Sequence, residues 1–194
     1  VTVTGTFGEC RGKRVIIAMP PPMAARIDFS PALPVGRVQL MQRMVMGCTV
    51  KLLALYDEPF WRADGWSGEV VADGKPVTVV YDNTNDKGQA GLVAFIVGSA
   101  ARDWSARPEA ERQQRVLSQF ARWFGPRAAR PTLVHEQDWA EEKWTRGCPI
   151  GLLGPSSLST LGSHLRAPRD RIHWAGTETA TQWTGFMEGA LQAA

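Results

Sequence analysis

The spacing of apolar positions changes several times along the chain. Residues 1–7 alternate in strand fashion, Gly8 and Gly12 interrupt, and residues 13–19 (KRVIIAM) form a compact apolar run closed by Pro20, Pro21 and Pro22. Such a run is the pattern of a buried strand stopped by proline, which has no N–H to give to a ladder. Residues 29–34 (FSPALP) read as a linker, residues 36–46 as a short helix, and residues 47–56 (GCTVKLLALY) as a strong strand that ends in the turn DEPFW. Strand-like stretches follow at 66–72, 77–81 and 91–98; Asp73-Gly74-Lys75 and the polar run 82–88 between them suit hairpin connections. Pro108, the acids behind it and apolar Val116, Leu117, Phe120, Trp123 and Phe124 predict a helix with one apolar face, ended by Gly125-Pro126. That face is expected to pack on the sheet. Near the end, apolar Ile172, Trp174 and Ala175 make a short strand, Gly176 permits a sharp turn, and residues 185–194 have helical composition.

Composition narrows the class. The 194 residues suffice to bury a core, and 44% hydrophobic with 21% charged residues is the balance of a globular chain. Net charge is only +3, arginines are scattered among acids, and no helix-turn-helix, zinc-finger or RNA-binding signature occurs, so nucleic acid is not an expected partner. No apolar run approaches a membrane span, and the first residues lack a basic-then-apolar signal pattern. Cys10, Cys48 and Cys148 are odd in number and lack zinc or disulfide spacing, which points to a reducing cytoplasm. His135, His164 and His173 share no metal spacing, and no metal is expected. Most of the eight tryptophans are expected as core mass. Val1 leads straight into a strand with no methionine, as a cut or processed piece begins.

Three stretches carry candidate chemistry. Lys51 interrupts an apolar strand and shares a face with Thr49, Leu53 and Leu55; it is either an edge lysine that discourages strand addition or a functional ammonium. Residues 138–162 (DWAEEKWTRGCPIGLLGPSSLSTLG) hold Trp139, Cys148 and a glycine- and serine-rich loop able to approach a ring closely. From the residues alone, Trp139 is a core tryptophan and Cys148 an ordinary buried thiol. In residues 171–194, a strand, a Gly-Thr-Glu turn and a helix start make an anion site suited to a pyrophosphate or the negative edge of a reduced ring, with Glu178 open to a capping role as well.

As whole strings, VIIAMPPP, VKLLALYDEPFW, DWAEEKWTRGCP and GTETATQWTGFMEG resemble, in order and approximate spacing, the C-terminal part of flavin-containing amine oxidases, the monoamine oxidase family. The resemblance covers essentially all of the chain. It implies an α+β fold: a mixed, largely antiparallel substrate-domain sheet with flanking helices, plus the C-terminal pieces of a two-domain FAD-binding amine oxidase fold. Residues 1–28 would be strands returning to the FAD-binding domain, 29–140 the substrate domain, and 141–194 the C-terminal FAD-binding segment. Lys51 would be the lysine that holds the flavin N5 through a water, Cys148 the thioether link to the 8α-methyl, and Trp139 the tryptophan packed on the flavin rings. Gly176, Thr177 and Glu178 would sit by the pyrophosphate and ribityl chain. Thr181, Gln182 and Trp183 would line the turn into the helix, and the Met187 N–H would face the flavin carbonyl edge.

Two positions depart from the family. Its amine cavity is often flanked by two aromatic rings, and Pro149 replaces the first while Phe186 supplies the second, so selectivity does not carry over. No G-x-G-x-x-G follows an opening strand either. The resemblance therefore implies oxidation of a primary or secondary amine to imine and aldehyde, with dioxygen reduced to hydrogen peroxide, by a protein of which this chain lacks the Rossmann half. FAD is not expected to stay on this chain alone. Open alternatives are an amino-acid or polyamine oxidase, a non-catalytic remnant or binding module that self-associates, and a two-part enzyme whose glycine motif lies on a partner.

Overall fold

The computed structural model describes residues 1–74 and 76–194. Lys75, and with it part of the expected 73–75 hairpin connection, lies outside the described residues. The chain forms two compact units, one of Val1–Gly47 with Lys143–Ala194 and the other of Cys48–Glu142.

In chain order the first unit begins with strands β1 (Thr2–Gly5), β2 (Gly8–Arg11) and β3 (Val15–Ile17), helices α1 (Pro21–Ala24) and α2 (Val35–Arg43), and strand β4 (Met44–Met46). The second unit holds β5 (Thr49–Tyr56), α3 (Phe60–Ala63), β6 (Val70–Val71), β7 (Val79–Asp82), β8 (Ala90–Val97), α4 (Ser99–Trp104), α5 (Glu109–Phe124) and β9 (Leu133–Asp138). The chain then returns to the first unit with β10 (Gly151–Leu153), α6 (Ser157–Leu161), β11 (Ile172–Trp174) and α7 (Met187–Gln192). No helix among the described residues is long and apolar enough to cross a membrane.

The second unit is built on a five-stranded sheet in the order β6-β7-β8-β5-β9, with every pairing antiparallel. Alternation decides its two faces. Val50 pairs with Ile96, Leu52 with Ala94 and Ala54 with Leu92, all fully buried, and this side forms one core with Val116, Phe120 and Phe124 of α5. Lys51, Leu53 and Leu55 fall on the opposite side, opposed by Phe95, Val93 and Gly91. The helix expected after Pro108 spans Glu109–Phe124, and Leu117 and Trp123 pack at the margin of that core.

Several expected elements are shorter or differently paired. Residues 66–72 give only the two-residue β6, because Gly68 takes φ +81° and turns the chain. The alternating start is a β1–β2 hairpin that turns back before Gly8, itself at φ +99°. Of the run 13–19 only Val15–Ile17 is strand, and Ile16 is 65% exposed, so the expectation of a fully buried strand holds for Ile17 alone. The helix over 36–46 stops at Arg43 and its last residues become β4, which pairs with β10.

The first unit contains three two-stranded ladders, of which β3–β11 is parallel. Arg37 of α2 is its polar linchpin. Only 4% exposed, it lies over the Trp174 ring at 3.6 Å and donates to the carbonyls of His164 (2.8 Å) and Leu165 (3.0 Å). Burial lowers its pKa to about 10, which still leaves it charged near neutrality.

Candidate functional site

Parallel strands end on the same side, and the carboxyl ends of parallel strands are where open α/β sheets bind ligands. β3 and β11 do this here: Ile172 is level with Val15 and Trp174 with Ile17, and Ala175 N donates to Ile17 O at 3.0 Å. Beyond them opens a cleft of about 320 Å³ lined by Ala18, Met19, Pro149, Gly176, Phe186 and Met187, among others. Gly176 takes φ +105°. A Cβ there would stand 3.7 Å or more from its neighbours, so the backbone angle, not space, calls for glycine.

The terminal turn is held by its own side chains. Thr177 Oγ1 accepts from Gly185 N at 2.6 Å and donates to Phe186 O at 3.0 Å, which closes the loop between them. Thr179 Oγ1 donates to Gly176 O at 2.8 Å. Arg166 donates from Nε to Thr179 O (2.5 Å) and from Nη2 to Ala180 O (2.8 Å). Glu178 is 6% exposed, and its Oε1 accepts from Gly151 N at 3.0 Å. Past the turn, Trp183 sits at φ +55° with its ring edge-on to Phe186, 6.0 Å away. Phe186 is 63% and Met187 86% exposed.

Cys148 and Pro149 reach this cleft through a close crossing of two segments. Cys148 N donates to Gly47 O (3.0 Å) and Gly47 N to Ile150 O (2.9 Å). A Cβ on Gly47 would meet Cys148 O at 2.5 Å, and one on Gly147 would run into Gly47 O. Only glycine at both places allows the approach. Cys148 is half-buried, makes no disulfide, and precedes a cis peptide to Pro149.

The structure thus brings Pro149, Gly176, Thr177, Glu178, Phe186 and Met187 to one cleft with Cys148 beside it. Thr181 stands apart. Its N–H and hydroxyl bond the Gln192 amide at 2.9 Å each, and it lines a second pocket with Met44, Ile150 and Leu165. Lys51 and Trp139 belong to the second unit, where Lys51 Nζ lies 5.2 Å from the Phe95 ring and 5.7 Å from that of Trp139. β5 runs between β8 and β9, so the edge-strand account of Lys51 is overturned: both its neighbours are paired. Trp139 Nε1 is buried with no partner among the described residues. Ala18, Met19, Gly47 and Gly147 around the cleft, and Phe95 beside Lys51 in the second unit, are residues that periodicity alone does not single out.

At about 320 Å³ the cleft has room for part of a flavin, not for a whole dinucleotide. Its floor is backbone at Ala18–Met19 and Gly176, its rim is apolar at Pro149, Phe186 and Met187, and the one carboxylate on it is buried and engaged with Gly151. The model of the family of flavin containing amine oxidoreductases matches residues 1–194, and the chain belongs to that family. It is 47% identical over 183 residues to a probable flavin-containing monoamine oxidase A of Dictyostelium discoideum, covering 94% of this chain and 40% of that protein. It is 42% identical over 193 residues to an L-amino acid dehydrogenase of Synechocystis, covering 99% and 41%. Cyclohexylamine oxidase from Brevibacterium oxydans superposes with a TM-score of 0.94 at 38% identity, covering 99% of this chain and 43% of that one. The chain therefore spans about 40% of the length of the curated relatives it matches.

Proposed function

We propose that this chain supplies the closing wall of an FAD site and the substrate-facing sheet of an amine oxidase. The enzyme would oxidise a primary or secondary amine to an imine that water converts to aldehyde, with dioxygen reduced to hydrogen peroxide. The observation that carries this reading is the cleft where β3 and β11 end together on Gly176. In the proposed division, residues 1–28 and 141–194 belong to the cofactor domain and 29–140 to the substrate domain. A cytoplasmic location fits three cysteines without a disulfide.

When bound, FAD supplies the hydride-accepting chemistry, and the protein supplies orientation and electrostatics. Gly176, Thr177 and Glu178 would frame the pyrophosphate and ribityl chain, and the Met187 N–H the carbonyl edge of the ring. Trp139 would pack against the ring. Lys51, which among the described residues meets only aromatic faces at over 5 Å, would keep its ammonium for a water or an anionic neighbour. Cys148 would be the thiol that carries a thioether. Pro149 and Phe186 would border the amine, with a single ring to guide it by apolar and N–H···π contact. Thr181 is reassigned to holding α7 through Gln192, because both its polar groups are used there.

The relative that acts on L-amino acids supports a second reading, an amino-acid oxidoreductase on the same scaffold. An amine panel with the full-length protein separates the two: a strong preference for α-amino acids would sink the monoamine version. The direct test of the cofactor reading is an absorption spectrum before and after acid precipitation. The full-length protein is expected to be yellow, with colour that stays in the precipitate and is released in Cys148→Ala. Colourless full-length protein would refute the reading.

A further inference from the structure

The cleft has two walls drawn from distant parts of the sequence. One is Gly176, Thr177 and Glu178 at the start of the terminal turn; the other is Pro149, with Cys148 next to it in the chain, just ahead of β10. The turn is rigid on its own account, since both Thr179 N (2.9 Å) and Thr179 Oγ1 (2.8 Å) donate to Gly176 O. The Cys148 wall is fixed on its far side by the two bonds to Gly47. Away from the cleft, the two segments are joined by the bond from Gly151 N to Glu178 Oε1, 3.0 Å long, beside the second pocket. A carboxylate only 6% exposed is costly unless bonded, so the buried Glu178 side chain and the Gly151 amide hold each other in place.

We propose that Glu178 is a positioning residue: through Gly151 N–H it sets where Cys148 and Pro149 stand against the Gly176 turn, and so where a flavin edge meets Cys148. This rests on the cleft being the FAD site. It differs from the role as a charged cofactor contact that the family resemblance suggests, and the two roles make opposite demands. A positioning bond needs an acceptor oxygen at the right reach, which Gln supplies and Asp, shorter by about 1.5 Å, does not. A charge contact needs the negative charge, which Asp keeps and Gln lacks.

The test uses full-length protein as wild type, Glu178→Gln and Glu178→Asp. Hydrogen exchange is followed in the peptide 148–153, together with total FAD per chain and the share that survives acid precipitation. Glu178→Gln should match the wild type in exchange at Gly151 and in the acid-stable share of whatever FAD it holds. Glu178→Asp should speed exchange at Gly151 by roughly fivefold to tenfold, the worth of one net hydrogen bond. It should also lower the acid-stable share by a similar factor while total FAD is kept, a split that general unfolding would not produce. Wild-type exchange in Glu178→Asp, or failure of Glu178→Gln where Glu178→Asp succeeds, overturns the proposal. If the wild type itself holds no acid-stable flavin, the link at Cys148 is wrong, and exchange at Gly151 still decides the role of Glu178.

Discussion

One hydroxyl ties the start of the terminal loop to its end. Thr177 Oγ1 spends its proton on Phe186 O and one lone pair on Gly185 N, so the chain between them is closed by a side chain where no strand or helix could do it. The loop needs that closure because Trp183 is held at φ +55°, a left-handed conformation that costs a bulky residue on the order of 1 kcal/mol. Gly189 is part of the same packing, since a Cβ there would run into Trp183 O. Replacing Thr177 by Val preserves shape but removes both bonds, of which the one to Phe186 O lies in solvent, and should cost about 0.5–1.5 kcal/mol, while Ser should keep most of the stability. Denaturant unfolding of the three proteins checks this. A Val variant as stable as the wild type would show that the hydroxyl holds nothing.

At the scale of elements, Asp82 at the end of β7 fastens α3 to the sheet. It accepts from Trp61 Nε1 (2.8 Å), Arg62 Nε (2.7 Å) and Thr84 N (2.8 Å). Gly68 passes so near that a Cβ would lie 2.7 Å from Trp61 Nε1 and 2.8 Å from Asp82 Cβ. Burial pushes the Asp82 carboxyl up, but the bonds from Arg62, Thr84 and Trp61 outweigh it and hold the group well below the usual carboxylate range. A depressed folded pKa means stability that is complete above the unfolded value near 3.8 and is lost as pH falls through the folded one. Asp82→Asn should therefore destabilise by about 1.5–3 kcal/mol at neutral pH, the range for bonds to a charged group. The gap to wild type should close as pH drops below about 4. Unfolding midpoints measured across that range decide it, and a gap that does not change with pH would remove the charge from the explanation.

The same elements show what the sequence could tell. The α5 stripe and the alternation of β5 and β8 were legible because each is a local period read against one core. The Gly-Thr-Glu turn was legible for the same reason, as a glycine angle followed by short-range bonds. Glu178 to Gly151 was not, nor the crossing of Gly47 and Gly147, because these join residues far apart in sequence with no repeating pattern to mark them. Lys51 was misread as a possible edge residue because strand order is set by pairing partners. β9, which covers its other side, has too weak an apolar alternation to announce itself.

At the scale of the whole molecule, the first unit leaves much of its apolar surface uncovered. Trp183 and Phe186 pack edge to face yet remain exposed, and Met187 and Leu191, four apart on α7, continue the same patch. The parallel pair β3–β11 lies beside it with exposed Ile16, and parallel strands are rarely stable without cover on both faces. Apolar patches of this kind drive association when nothing else covers them. The chain expressed by itself should therefore self-associate at micromolar concentration and hold no flavin, since the contacts that a glycine-rich dinucleotide turn would add are not in its sequence. Sedimentation over a concentration series, with an absorption spectrum of each sample, tests both halves. The double variant Met187→Glu, Leu191→Glu places two like charges on the exposed patch and should return the chain toward monomer. A wild-type chain that stays monomeric throughout, or a double variant that associates as before, would locate the sticky surface elsewhere or deny it, and a yellow chain would mean that these residues alone suffice to hold the cofactor.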